Sequence, residues 1–419
     1  MPLGKRLIPA LRCASVDLSD LGALLLLSIL VMPASWARVD PLSGRIRMLH
    51  IGDAFNRHGF AATFFFSDPR ISSTPVPAEV AITGYKDAQR YYRMYLPRSE
   101  RDVRENVDVV CIAGAFQYQI GRRFLEWTRD AVIEDGVGFL MADDPASFGG
   151  TGWRGVQNNW AETPVGVVLP VECATNSKDW SQAPFKVDIV LPDHPLVKGL
   201  PWDETVWIAH NRVYDRQGAV VVARTRSNPP GLPALAYMDV GRGRSVALDH
   251  DWGGRAGYAF VPSGAVWEWA PHFFCSLVYY AAQLPIPDPV LDKAAKEKFA
   301  AYRETKTLVL SVIEFADKFN ANTAPLVRKV GTIDEERTDA ERMYIEMDLV
   351  GSSRKMDELI SKMKKLLDEA MKVKDSALLW VYTIEWLSVT GTSLLCGYVL
   401  YMLMIRRKLF REVGATRLA

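Results

Sequence analysis

Short apolar runs and longer helical stripes divide the chain into three regions. From about Asp40 to Leu284, runs of branched and aromatic residues alternate with turns rich in Gly, Pro and Asp. Arg45–Ile51, Val107–Ala113 and Gly136–Ala142 read as buried strands, being short, dense in branched side chains and closed by turn formers. Between the second and third, Phe124, Trp127 and Ala131 recur at helical spacing, which predicts a helix over Gln119–Glu134. Strand, helix and strand in sequence make a βαβ unit, and such units impose a parallel sheet. Further strands are predicted at Gly166–Val171, Lys186–Leu191, Ala219–Arg224 and Ser245–Asp249, with a closing helix at Trp267–Gln283. The pattern predicts one α/β domain over residues 38–284.

Pro285, Pro287 and Pro289 then stop regular structure, since each fixes φ and removes a donor, and residues 285–290 read as a stiff linker. From 291 to 376 the composition shifts to Lys, Glu, Ala and Leu. Phe299, Tyr302, Val309, Val312, Ala316 and Phe319 form a first helical stripe, interrupted by Asn320–Pro325. A second helix is predicted over Leu326–Leu349, ended by Gly351, Ser352 and Ser353. A third stripe, Met356, Leu359, Met363, Leu366, Ala370 and Val373, repeats at roughly 3.5 residues, the seam of a coiled coil or bundle. Such breaks favour an antiparallel helical stalk.

No breaker separates that third helix from the apolar run at 386–405. About 20 residues at ~1.5 Å rise span ~30 Å, the hydrocarbon thickness of a bilayer. The run ends in Arg406, Arg407 and Lys408, with Arg411 behind, so 406–419 is expected to be a basic cytoplasmic tail. Glu385, flanked by Trp380, Tyr382 and Trp386, belongs at the opposite interface, because a carboxylate at mid-membrane costs several kcal/mol. At the other end of the chain, Lys5, Arg6 and Arg12 precede the apolar stretch Leu21–Met32, and Ser35-Trp36-Ala37 offers small residues to a signal peptidase. Residues 1–37 therefore read as a signal peptide. The expected product is a single-pass type I protein of the plasma membrane, its N-terminal domain outside.

Composition narrows this further. Hydrophobic content of 49% and charged content of 24% are those of a globular chain, and a formal net charge of +1 gives no concentrated basic surface for nucleic acid. The expected partners are the bilayer and either another protein or a second copy, through the stalk and the membrane helix. Ser393 and Gly397 form a small-xxx-small pair that permits close helix contact there. Cys111, Cys173 and Cys275 remain in the exterior region, an odd number without metal-knuckle spacing. Cys111 reads as a small core residue, and a Cys173–Cys275 bridge is one option for the other two.

The segments Val107–Gly114, Gly138–Gly150, His194–Pro201 and Gly241–Trp252 resemble the class I glutamine amidotransferase-like superfamily, in a membrane-anchored, non-catalytic branch. The resemblance implies a flavodoxin-like, mostly parallel sheet. It also implies a nucleophilic cysteine on a Gly-x-Cys-x-Gly elbow after a central strand, and a His-x-Glu pair after a later one. Here the strand end reads Met141-Ala-Asp-Asp-Pro-Ala-Ser147, with no cysteine, and the later position offers His250-Asp251-Trp252. Glutamine hydrolysis by the family mechanism is therefore not expected.

Parallel sheets bind ligands beyond the carboxyl ends of their strands. Candidate ligand contacts in that region are His50, Asp53, Ser147, His210 and Trp252. The expected function is a non-enzymatic ligand- or protein-binding module of a cell-surface complex, without a metal or other cofactor. The alternative is an extracytoplasmic hydrolase, metal-dependent in one version, using His250 with Asp251, Asp143 or Asp144. Against it, Asp and His at strand ends often serve as caps and loop hydrogen-bonders.

Overall fold

The computed structural model describes residues 38–54, 60–78, 83–142, 146–151, 157–174, 180–250 and 267–416. The predicted signal peptide at 1–37 lies outside them. The main sheet is built from β1 (Ile46–Gly52), β2 (Ile71–Pro77), β3 (Val109–Ala113), β4 (Gly138–Ala142), β5 (Val187–Ile189), β6 (Val220–Thr225), β7 (Pro233–Val240) and β8 (Gly243–Leu248). They run in the order β2-β1-β3-β4-β8-β7-β6-β5. The first five in that order are parallel, with Met48 opposite Val109 and Phe139 opposite Ser245. The remainder is antiparallel.

Every residue of β3 and β4 is buried, as their unbroken apolar runs require of strands covered on both faces. One face places Met48, Cys111, Leu140 and Leu248 in a core with α1 (Phe60–Ser67) and α5 (Ala270–Ala281). The other places Ile51, Ile112, Phe139 and Met141 under α2 (Tyr85–Tyr95), α3 (Glu100–Asn106) and α4 (Arg122–Asp135). This is the expected α/β architecture.

Within the α/β domain the structure also corrects the sequence pattern. Gly166–Val171 is not a strand: Pro164–Val168 winds into a 3-10 helix and Val171–Cys173 alone extends, pairing with Val213–Asp215. Pro164 presets the first helical φ, and a Cβ on Gly166 would lie 2.2 Å from the Ala161 carbonyl oxygen, so the apolar run is wound into a turn. Cys173 and Cys275 are both free and buried, which removes the suggested bridge.

Three helices follow: α6 (Pro289–Asp317), α7 (Ala324–Ile345) and α8 (Leu349–Thr416). Asp288 caps α6 by accepting from the Val290 and Leu291 amides, each at 3.0 Å. The second turn falls at Glu346–Asp348 rather than at Gly351–Ser353. Asp348 Oδ1 accepts from the Gly351 amide at 2.9 Å and starts α8 early. Ser352 lies inside the helix and is fully buried, its Oγ donating 2.8 Å to the Ala340 carbonyl, so the small residues serve close packing of α7 and α8. Phe299, Tyr302, Ile333, Met356 and Met363 are among the residues filling the bundle core.

Burial on α8 ends at Ala377; Trp380, Leu387 and Leu394 beyond it are exposed. Leu349–Arg411 contains a stretch long and apolar enough to cross a membrane. At ~1.5 Å per residue the whole helix is ~100 Å long.

Candidate functional site

The order β2-β1-β3-β4 reverses direction between β1 and β3, and ligands of open α/β sheets bind at such a switch point beyond the strand ends. Gly52 closes β1 there at φ 107°, and a Cβ on it would meet the Ala113 carbonyl oxygen at 1.7 Å. Only glycine permits this approach. The turn directs the Asp53 amide onto that same carbonyl at 2.8 Å and leaves Asp53 buried.

Ser147 joins this edge from β4. Its Oγ donates to the Ala142 carbonyl at 2.6 Å and accepts from the Gly114 amide at 3.1 Å, tying the end of β4 to the end of β3. That is a structural assignment for a fully buried hydroxyl, and it occupies both sides of the oxygen. Asp249, just past β8, accepts from the Asn211 amide at 2.7 Å and so fixes the strand Trp207–Asn211 across the edge.

His50 and His250 are both fully buried. His50 lies edge-on to Phe65, ring centroids 5.5 Å apart, and burial lowers its pKa to about 3. The His250 ring lies 5.0 Å from Trp207 and 6.3 Å from Phe185. Two strands, β3 and β4, separate β1 from β8, so at ~4.8 Å per strand the two histidine positions are about 14 Å apart. Among the described residues no group of three or more His, Cys, Asp or Glu is arranged to hold a metal. Asp143, Asp144, Asp251 and Trp252 lie outside the described residues. His210 is placed by its backbone alone, in the strand Trp207–Asn211 opposite Ser181.

The thiols have no nucleophilic setting either. Cys111 is buried inside β3, and burial raises the Cys173 pKa to about 12 and that of Cys275 well above the ordinary thiol range. A nucleophilic cysteine needs the reverse shift and access to substrate.

A second polar cluster, which the sequence pattern did not single out, lies where the α/β domain meets the helical bundle. Lys296 of α6 bridges Asp68 and Asp292, each at 3.0 Å, and donates to the Pro271 carbonyl at 3.0 Å. Tyr279 donates to Asp68 at 2.5 Å, and Tyr344 donates to Asp292 at 2.5 Å. His272 Nδ1 lies 2.7 Å from Asp292 Oδ2, and Ser276 Oγ lies 3.4 Å from His272 Nε2. The order Ser276, His272, Asp292 imitates a nucleophile relay, but Ser276 and Asp292 are fully buried and Lys296 takes the same carboxylate oxygen. A relay needs an accessible oxygen. The cluster is a buried lock whose members come from the residue after α1 and from α5, α6 and α7. Burial alone would raise the Asp292 pKa, but Lys296, His272 and Tyr344 together hold it well below the usual carboxylate range. No spacing within the sequence signals this cluster, because its partners are up to 276 positions apart.

Residues 116–280 match the GATase1_like family model, described as "Putative glutamine amidotransferase". The chain thus carries a glutamine amidotransferase-like domain. The match begins just after β3 and ends in α5, covering less than half of the chain. No curated protein matches the chain. Two solved structures of cytoplasmic proteins from Salmonella typhimurium are similar to it, each at 19% identity and a TM-score of 0.43. The alignments cover 57% of this chain and 98% of the first protein, and 56% of this chain and 99% of the second, which is from strain LT2. A β-galactosidase from Bacillus circulans sp. alkalophilus is similar at 13% identity and a TM-score of 0.32, over 58% of this chain and 32% of its own.

Proposed function

We propose that the amidotransferase-like domain is a non-hydrolytic ligand- or protein-binding module, carried on the exterior face of a membrane by the helical bundle and the long apolar helix. The observation that carries this reading is the state of the thiols. The strand end where the superfamily places its nucleophile leads into Asp143-Asp-Pro-Ala-Ser147, and Cys111, Cys173 and Cys275 are buried. Ser147 spends its hydroxyl on holding β3 and β4 together rather than facing outward. What the same edge retains is the carboxyl end of parallel strands, where such sheets bind ligands.

A direct assay follows. Purified full-length protein supplied with glutamine is expected to release no ammonia above a heat-killed control. Gentle extraction from its native membrane is expected to recover it with a stoichiometric protein partner. Ammonia release abolished by Cys111→Ser, Cys173→Ser or Cys275→Ser would overturn the reading. Release that survives those changes but disappears in His250→Ala would move the assignment to a hydrolase using His250.

A further inference from the structure

Beside the buried lock, the α/β domain and the bundle enclose a cavity of about 220 Å³ lined by Arg45, Ser67, Asp68, Arg303, Arg337 and Glu341, with Phe299 also in its wall. Glu341 holds two of the guanidiniums: its Oε2 lies 2.8 Å from Arg45 Nη2 and its Oε1 lies 3.3 Å from Arg337 Nη1. Asp68 is already engaged by Lys296 and Tyr279. Arg303 reaches across from α6 with a single long contact, Nη1 to the Ser67 carbonyl at 3.4 Å. Arg337 Nε is buried and makes no hydrogen bond among the described residues, with Asp334 Oδ1 3.6 Å away. Three guanidiniums therefore line the space beside two carboxylates, Asp68 and Glu341; Glu341 serves Arg45 and Arg337, Arg337 also pairs with Asp334, and Arg303 has no carboxylate within 4.0 Å among the described residues. Partial desolvation and the neighbouring Arg337 lower the pKa of Arg303, against Glu304 and Glu341, which raise it.

We propose that this cavity binds a small tetrahedral oxyanion of the phosphate class between Arg303 and Arg337, and that the bound ion pins the bundle to the α/β domain. The planar guanidinium fork matches such an anion by paired hydrogen bonds. The lining residues come from the segment leading into β1, the end of α1, α6 and α7, so an anion there contacts both halves of the molecule. This inference is independent of the function assigned to the sheet edge. A lipid headgroup is out of reach. The cavity lies at the Leu349 end of α8, and from Leu349 to Ala377, where burial ends, that helix runs ~42 Å toward the apolar stretch.

The test uses full-length protein in a detergent that contains no phosphate. Thermal unfolding is followed with inorganic phosphate and with sodium chloride at matched ionic strength. Phosphate is expected to raise Tm saturably, by about 3 °C at a hundredfold excess over Kd, and calorimetric titration to show one ion per chain. Arg303→Gln, a change at an exposed side chain, is expected to fold with unchanged Tm in chloride and to weaken phosphate binding by about tenfold or more. Arg101→Gln, which removes an exposed pair with Glu105 elsewhere, is expected to leave binding unchanged. Equal stabilisation by chloride and phosphate, or full binding by Arg303→Gln, would overturn the proposal.

Discussion

His50 is third from the end of β1 and is fully buried against Phe65. Its pKa of about 3 in the folded protein lies below the ordinary value near 6.5, and the cause is burial. Between those two values the unfolded chain binds a proton that the folded chain refuses. Stability from a neutral His50 is complete above pH 6.5 and is lost as pH falls, by up to about 1.4 kcal/mol per pH unit. Asp292 also loses stability in acid, but its pKa is held below the carboxylate range, so its loss falls at lower pH. Urea unfolding between pH 7 and pH 4.5 should therefore show a steep decline. His50→Leu, which keeps an apolar side chain in that layer, should flatten it. A slope unchanged in the variant would mean that His50 does not carry this dependence.

Lys296 makes the same point for whole helices. It is a cation of α6 placed between the carboxylate just after α1 and one of its own first turn, and it is what lets Asp68 and Asp292 be buried together. Replacing it with Met leaves two buried carboxylates facing Tyr279, Tyr344 and His272 without their cation. Breaking a buried pair from one side costs ~3–5 kcal/mol, and Lys296→Met should show a loss of that size in urea unfolding. Lys296→Arg should recover part of it. The strands of the α/β domain were legible because β1, β3 and β4 are local apolar runs with turn formers at each end. β2, reading Ile-Ser-Ser-Thr-Pro-Val-Pro, was missed because it lies at the sheet edge and is half polar, and β7, Pro233–Val240, was missed as well. The α7–α8 turn was misplaced because Gly351 and Ser352 look like breakers, while the actual start is set by the Asp348 cap. Of the candidate site, the sequence placed His50, Asp53, Ser147 and His250 at the carboxyl edge of the sheet. It did not reveal that the Ser147 hydroxyl is consumed by backbone, nor that Asp68, Asp292 and Lys296 meet. Tertiary pairing over hundreds of positions leaves no periodic trace.

The long α8 decides what the molecule is as an object. Its first part, Leu349 to Ala377, packs in the bundle, and its continuation exposes an apolar surface long enough to cross a membrane. The orientation we propose rests on charge at the two ends of the apolar stretch. Arg406, Arg407, Lys408 and Arg411 lie just beyond one end, four cations with no acid among them. Before the other end stand Lys372 and Lys374, accompanied by Asp375 and Glu385. Lysine and arginine near a span are retained in the cytoplasm, so this bias is the ground for proposing that the tail lies inside and the α/β domain outside. Protease added to intact cells should remove the α/β domain and bundle while sparing a fragment that begins near Trp386. Protease added to inverted vesicles should trim only the tail. Reversing the charges with Arg406→Glu, Arg407→Glu and Lys408→Glu should raise the fraction of misoriented chains, read as α/β domain that survives external protease. If the unmodified domain itself survives that treatment on intact cells, the molecule faces inward and an exterior binding role is excluded.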